Sequence, residues 1–182
     1  MNELSLAHIA LLLGAAGLAA GLWQLIAPAQ VRRMLDAFPR STATAWALTA
    51  IDLLWVAWLL HHTNLGRFDY LKPALYFLTP LSFFLLINYL DELLAARALG
   101  GLLLLLPHPV LQIAQWHPSE WRLVVVSLAY LWAVAGMALV LSPYLFRRTA
   151  LIVVPTDARS RLSAALKLAV SIGLIGLGLT VY

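Results

Sequence analysis

The chain has 182 residues, of which 63% are hydrophobic and 11% charged, and its mean hydropathy is +0.88. A soluble domain keeps about a quarter of its residues charged, so these values exclude an ordinary water-soluble globule and require a surface that faces lipid or other protein. The net charge of +4 lies in short turns between apolar runs, which is a membrane-topology pattern and argues against nucleic acid as a partner; the lack of cysteine excludes disulfides, thiolate zinc sites, Fe–S clusters and covalently attached haem.

Apolar stretches of about 20 residues match the roughly 30 Å hydrocarbon core of a bilayer. The first run, Leu6 to Ala27, follows a start without the basic region of a signal peptide and reads as an uncleaved span. Pro28 stops it, and Arg32, Arg33, Asp36 and Arg40 form a basic turn. The second run, Thr42 to Leu60, opens on a helix-start signal at Ser41 and Thr42 and ends at His61-His62. A loop with Arg67, Asp69 and Lys72 leads to the third run, Pro73 to Leu90, after which Asp91, Glu92 and Arg97 mark a solvated turn. In the fourth segment Gly100-Gly101 precedes five leucines and the breaker Pro107-His108-Pro109. This segment spans fully only if it begins near Leu93, so it is expected to be short, kinked or re-entrant, with Val110 to Trp116 along the interface. The fifth run, Leu123 to Leu141, ends at Ser142-Pro143, and the sixth fills Leu162 to Tyr182.

The pattern predicts an all-α, polytopic membrane helix bundle of about six spans in a single transmembrane domain, 1–182. It divides into hairpin one (6–60), hairpin two (73–116, with a broken second segment) and hairpin three (123–182). Lys and Arg mark the cytoplasmic side. Six spans put Arg32, Arg33, Arg40, Arg97, Arg147, Arg148, Arg159 and Arg161 on one side and Arg67, Lys72 and Arg122 on the other. Both termini are therefore expected outside, in the periplasm if the membrane is a bacterial inner membrane.

An internal likeness runs at a constant offset of 115. Ala20-Gly21, Pro28 and Arg32-Arg33 reappear as Ala135-Gly136, Pro143 and Arg147-Arg148, five identities in the 14 positions from Ala20 to Arg33. The physical unit is a hairpin in which proline ends a span, two arginines anchor the inner turn and a second span returns. Gly21–Leu60 and Gly136–Leu177 each resemble the YjeT-like family of small two-span bacterial membrane proteins. That resemblance implies fold and membrane location and no defined activity. The chain departs from it in carrying further spans and in lacking a clear arginine-glycine start to its sixth helix.

Asp52 falls near the middle of the second span, where a charge costs roughly 2.5–3.5 kcal/mol on insertion scales. Lys167 stands at the same offset of 115 in the sixth span, which suggests an intramembrane Asp52–Lys167 ion pair joining the two helices. The rival readings make Asp52 a protonatable group on an ion or proton path, or a neutral group hydrogen-bonded in the core. The five histidines, His8, His61, His62, His108 and His117, fall toward the outer side among tryptophans. His62 and His108 are the candidates for a pigment or haem ligand, although no motif sets two imidazoles on one helix face. No specifically bound cofactor, metal site or catalytic set is expected. Small residues at packing spacing, Gly14, Gly17 and Gly21 in the first span and Ala165, Ala169 and Gly173 in the sixth, point to close helix contacts. Asn88, Gln112 and Gln115 are candidates for interhelical hydrogen bonds. The expected partners are the bilayer and other membrane subunits or further copies of the chain. The functional expectation is a non-enzymatic accessory or structural subunit of a membrane complex, with energy-converting complexes in view. The alternatives are a small oligomeric transporter or channel using Asp52 and a pigment- or haem-binding subunit.

Overall fold

The computed structural model describes residues 5–89, 93–153 and 157–182; the acidic turn expected at Asp91 and Glu92 lies outside the described residues. Among the described residues every regular element is helical: α1 (Leu6–Ile26), α2 (Pro28–Ala37), α3 (Thr42–His62), α4 (Leu75–Tyr89), α5 (Leu94–Leu105), α6 (Pro107–Ala114), α7 (Arg122–Leu141), α8 (Tyr144–Val153) and α9 (Asp157–Thr180), with 3₁₀ turns at Phe38–Arg40 and Gly66–Ala74. Six stretches among these residues are long and apolar enough to cross a bilayer: Leu6–Ile26, Thr42–His62, Gly66–Tyr89, Leu94–Ala114, Arg122–Leu141 and Ala158–Thr180. In lipid every backbone polar group must be satisfied internally, which an apolar helix does by itself. The chain is an integral membrane protein.

Local chemistry sets the helix ends. The Ser5 hydroxyl accepts from the His8 N–H while the His8 ring accepts from the Ser5 N–H, capping α1 at both groups. The Ser41 hydroxyl accepts from the Thr44 N–H and starts α3 at the residue that the sequence indicates. At Ala27 (φ −131°, ψ 59°) the backbone leaves the helical region, and Pro28 then occupies the first position of α2, where its missing N–H costs nothing.

The fourth segment differs from expectation. Leu94–Ala114 makes 21 residues, long enough to cross, because Leu106 keeps helical angles (φ −55°, ψ −39°) and its N–H still donates to Leu102 O at 3.0 Å. Pro107 and Pro109 only remove the N–H donors that Leu103 and Leu105 carbonyls would use. Nor does the piece from Val110 onward lie along an interface: Val110 and Ala114 are buried with Leu6, Val125, Ala129 and Leu174. Two helices were not read from the sequence. The basic turns after the first and fifth spans are the ten-residue helices α2 and α8, which touch each other, and the Phe38 and Phe146 rings stack beside them with centroids 4.9 Å apart.

The most extensive pairing joins α1 to α9. α5 lies between α3 and α7, α6 lies against α7 and α1, and α4 packs on α3. One core, at the end of the bundle that carries Leu6, gathers Leu6, Val110, Ala114, Val125, Ala129 and Leu174; a smaller one holds Ala45, Leu94 and Ala95 with Phe38 and Ile87.

At the offset of 115 the elements coincide. Leu6, Pro28 and Thr42 map to Trp121, Pro143 and Asp157, and α7, α8 and α9 begin at Arg122, Tyr144 and Asp157. The break at Ala27 maps to Ser142, whose angles are φ −139°, ψ 74°. Burial follows the same register: Ala10 and Val125, Gly14 and Ala129, Gly21 and Gly136, Ala45 and Ser160, and Thr49 and Ala164 are all buried.

Candidate functional site

Asp52 and Lys167 occupy equivalent positions, yet they do not meet. Lys167 Nζ donates to Gln24 Oε1 at 2.7 Å across the α1–α9 seam. Gln24, only 2% exposed, donates in turn to Ser160 O at 3.0 Å and to Ser163 Oγ at 2.6 Å. The expected Asp52–Lys167 ion pair is therefore replaced by an amide hub, with the lysine held by a neutral acceptor. The reason is geometric: the repeat gives the two residues the same place in their own hairpins, and α3 faces α5 while α9 faces α1. Lys167 also borders a hollow of about 480 Å³ that Leu13, Gly17, Trp132 and Ser171 help to line.

Asp52 lies instead against α5. A Cβ added at Gly101 would fall 2.6 Å from Asp52 Oδ2, so the carboxyl packs directly against the backbone at residue 101 and would have to shift if that residue carried a side chain. Asp52 Oδ1 is buried without a hydrogen-bond partner, as are Thr49 Oγ1 and Arg97 Nε. All three residues line one hollow of about 220 Å³, with Leu53 from α3, Leu86 from α4, Leu94 and Ala98 from α5, and Val140 from α7 as the apolar part of its wall. A buried polar atom left unpaired costs about 1–3 kcal/mol, and more when charged. Three unpaired polar atoms thus belong to residues around one otherwise apolar hollow. The sequence reading placed Arg97 in a solvated inner turn and passed over Thr49; the signal available was their position three or four residues from Asp52 and Gly101, one helical turn along the same faces.

The glycines of α1 pack as close-approach positions. A Cβ at Gly14 would meet Ile175 Cγ1 at 2.5 Å, one at Gly21 would meet Leu168 Cδ2 at 2.8 Å, and one at Gly17 would collide with the Ser171 hydroxyl. The sixth-span stripe is corrected. Ala165, Ala169 and Gly173 are exposed, with nothing within 4 Å of a Cβ at Gly173, and the face that meets α1 carries Ser160, Ala164, Leu168 and Ser171. The two stripes differ by a rotation about the helix axis that apolar counting does not resolve. A second seam went unread: Gly100 and Gly136 bring α5 and α7 into backbone contact, a Cβ at either falling 2.9 or 2.7 Å from the other's carbonyl oxygen.

The polar residues expected between helices turn elsewhere. Asn88 Nδ2 donates to Phe84 O of its own helix at 2.7 Å, and Gln112 and Gln115 are exposed. Of the candidate ligands, His62 Nδ1 lies 2.8 Å from Trp58 O, and its ring borders a groove of about 470 Å³ between α3 and α4 with His61, Leu54, Tyr76 and Pro80. His108 is exposed on α6 and does not line that groove. Among the described residues no three His, Asp or Glu side chains gather as a metal-binding group.

The chain matches no protein-family model, no curated protein and no solved structure.

Proposed function

We propose that this chain is a non-enzymatic accessory or structural subunit of a larger membrane complex, an energy-converting one by preference. It sits in a bacterial inner membrane with both termini on the periplasmic side. The observation that carries the reading is α4. No residue of the Gly66–Ala74 turn or of α4 is buried, and the helix rests on α3 with Phe77, Phe84 and Leu85 exposed. In lipid, helices associate through close packing rather than through hydrophobicity, and the groove left between α3 and α4 is contact that an apolar helix of a partner subunit supplies. The excess of arginine in the turns after the first, third and fifth spans supports the orientation, and the resemblance to YjeT-like hairpins supports the location.

The test is purification in a mild detergent from native membranes, with mass spectrometry and an absorbance spectrum of the same peak. The expected result is a stoichiometric membrane partner that is released when Phe77 and Phe84 are both replaced by alanine. A homo-oligomer without other subunits overturns the subunit reading. A second reading, a small oligomeric transporter, is favoured by the unpaired Asp52 carboxyl within the bundle; it requires Asp52→Asn to assemble normally and lose flux in proteoliposomes. A visible absorbance band in the purified peak would instead support the pigment or haem reading through His62 or His108.

A further inference from the structure

The hollow beside Lys167 lies between two consecutive spans that do not pack on each other. α7 and α9 are joined through α8, yet the extensive contacts of α9 are with α1 and those of α7 are with α5 and α6. The gap of about 480 Å³ is walled by Leu13 and Ala16 of α1, Leu128 and Trp132 of α7, and Lys167 and Leu174 of α9. Ala16, Leu166 and Val170 on its rim are exposed, so it opens on the side of the bundle that faces the bilayer. From Leu166 to Leu174 it follows α9 for about 12 Å along the helix axis.

One end of this apolar slot is cationic, because Lys167 is the charged residue in its wall. Gln24 Oε1 holds the ammonium at 2.7 Å, and the same amide donates to Ser160 O and Ser163 Oγ. The lysine side chain therefore runs back from its own turn toward the start of α9, the direction in which a lysine snorkels to the headgroups. An ammonium has three donors and one goes to Gln24, while among the described residues no carboxylate pairs with Lys167. Arg159 and Arg161, exposed and likewise without an acidic partner among the described residues, stand at the same end of α9.

We propose that this hollow is a binding site for an anionic phospholipid, whose phosphate accepts from Lys167 and whose acyl chain fills the gap between α7 and α9. The chain supplies the dispersion contacts that the two helices do not give each other, and in a bilayer such packing holds helices together. Net negative charge is selected because a zwitterionic headgroup brings its own cation to a place that already carries several. The site goes beyond the subunit reading and does not depend on it.

The test is native mass spectrometry of the purified chain from mixed micelles that hold equal amounts of dioleoyl phosphatidylglycerol and dioleoyl phosphatidylcholine. A retained lipid is expected, with phosphatidylglycerol favoured on the order of fivefold, the effect of a single basic residue near a lipid surface. Lys167→Gln should bring the ratio close to one, whereas Arg148→Gln, which removes an exposed cation outside the hollow, should leave it unchanged. Ala16 is exposed, so Ala16→Leu fills the slot without entering the α1–α9 seam and should release both lipids. Wild-type protein that retains no lipid or shows no preference overturns the site. A preference that survives Lys167→Gln, or falls as far in Arg148→Gln, overturns the lysine contact, and undiminished retention in Ala16→Leu overturns the seated chain. Glycerol 3-phosphate, a headgroup without chains, should not compete; displacement by it would reveal a site for free phosphate esters and sink the lipid assignment.

Discussion

Replacing Gly136 by alanine tests the seam between α5 and α7. The added Cβ would lie 2.7 Å from Gly100 O, 2.9 Å from Leu104 Cγ and 3.1 Å from Leu104 N. Two of those three atoms are backbone, so a rotamer change gives no relief. Ordinary carbon–oxygen contact begins near 3.3 Å, and the helices must therefore part by roughly 0.6 Å. A gap of that size forfeits about a quarter to a half of the dispersion energy of each contact along the seam. Overpacking of this kind costs about 1–3 kcal/mol, offset by up to about 1 kcal/mol because alanine is the better helix former. The net loss of about 1–2 kcal/mol corresponds to a fall in midpoint of roughly 2–8 °C for a chain of this size. The assay is thermal unfolding of purified protein in one detergent, followed by circular dichroism, with Gly173→Ala as the control. That control adds the same methyl on the same kind of helix with nothing within 4 Å of it, so its midpoint should stay level or rise. If Gly136→Ala and Gly173→Ala behave alike, α5 and α7 do not meet at their glycines and the packing argument fails. The double variant Gly100→Ala/Gly136→Ala should cost less than the sum of its singles, since the first methyl already opens the space that the second needs.

Two further outcomes follow from the seam chemistry. Gln24→Ala removes bonds to Lys167, Ser160 and Ser163; at about 0.6 kcal/mol for each interhelical bond in a membrane, the loss should be roughly 2 kcal/mol, and a chemical-denaturation midpoint that does not move would contradict the hub. At the end of the bundle that carries the last residue, the Tyr182 hydroxyl donates to Trp121 O at 2.6 Å and desolvation by burial raises its pKa. A raised tyrosine pKa adds stability that is fully present below the unfolded value near 10 and is lost as pH rises through the folded value. Alkaline titration of the tyrosinate absorbance, taken as the difference between the protein and Tyr182→Phe, should place this group above the ordinary tyrosine value, and an ordinary value would show that the contact is not kept.

The spans were legible because lipid imposes one requirement, a run of apolar residues long enough to cross, and Leu6–Ile26, Thr42–His62 and Arg122–Leu141 satisfy it almost to the residue. Less legible were features in which charge and helix coexist. Arg159, Ser160 and Arg161 look like loop to an apolar count, yet α9 begins at Asp157 and its Ser160 is fully buried against Gln24. The basic turns concealed α2 and α8 because their arginines carry the topology signal and their apolar residues are spaced for one helix face. For the site, sequence marked Asp52 and Lys167 as unusual but had no means of pairing them. Repetition in a sequence equates positions, whereas contact depends on which neighbour each copy meets. Gln24 answers Lys167 from α1, a helix that the register does not relate to α9.

The α1–α9 seam also sets an order of events during synthesis. Gln24 and Ser160 are bonded across 136 positions of sequence, so α1 enters the membrane long before the surface that satisfies its amide and fits its three glycines has been made. Until then, that face is covered by lipid, by the insertion machinery or by a temporary neighbour. A ribosome-bound chain that stops after α7 therefore presents a polar, notched helix to its surroundings. Completion of the bundle is a late, long-range closure in which the carboxyl-terminal hairpin returns to the amino-terminal helix.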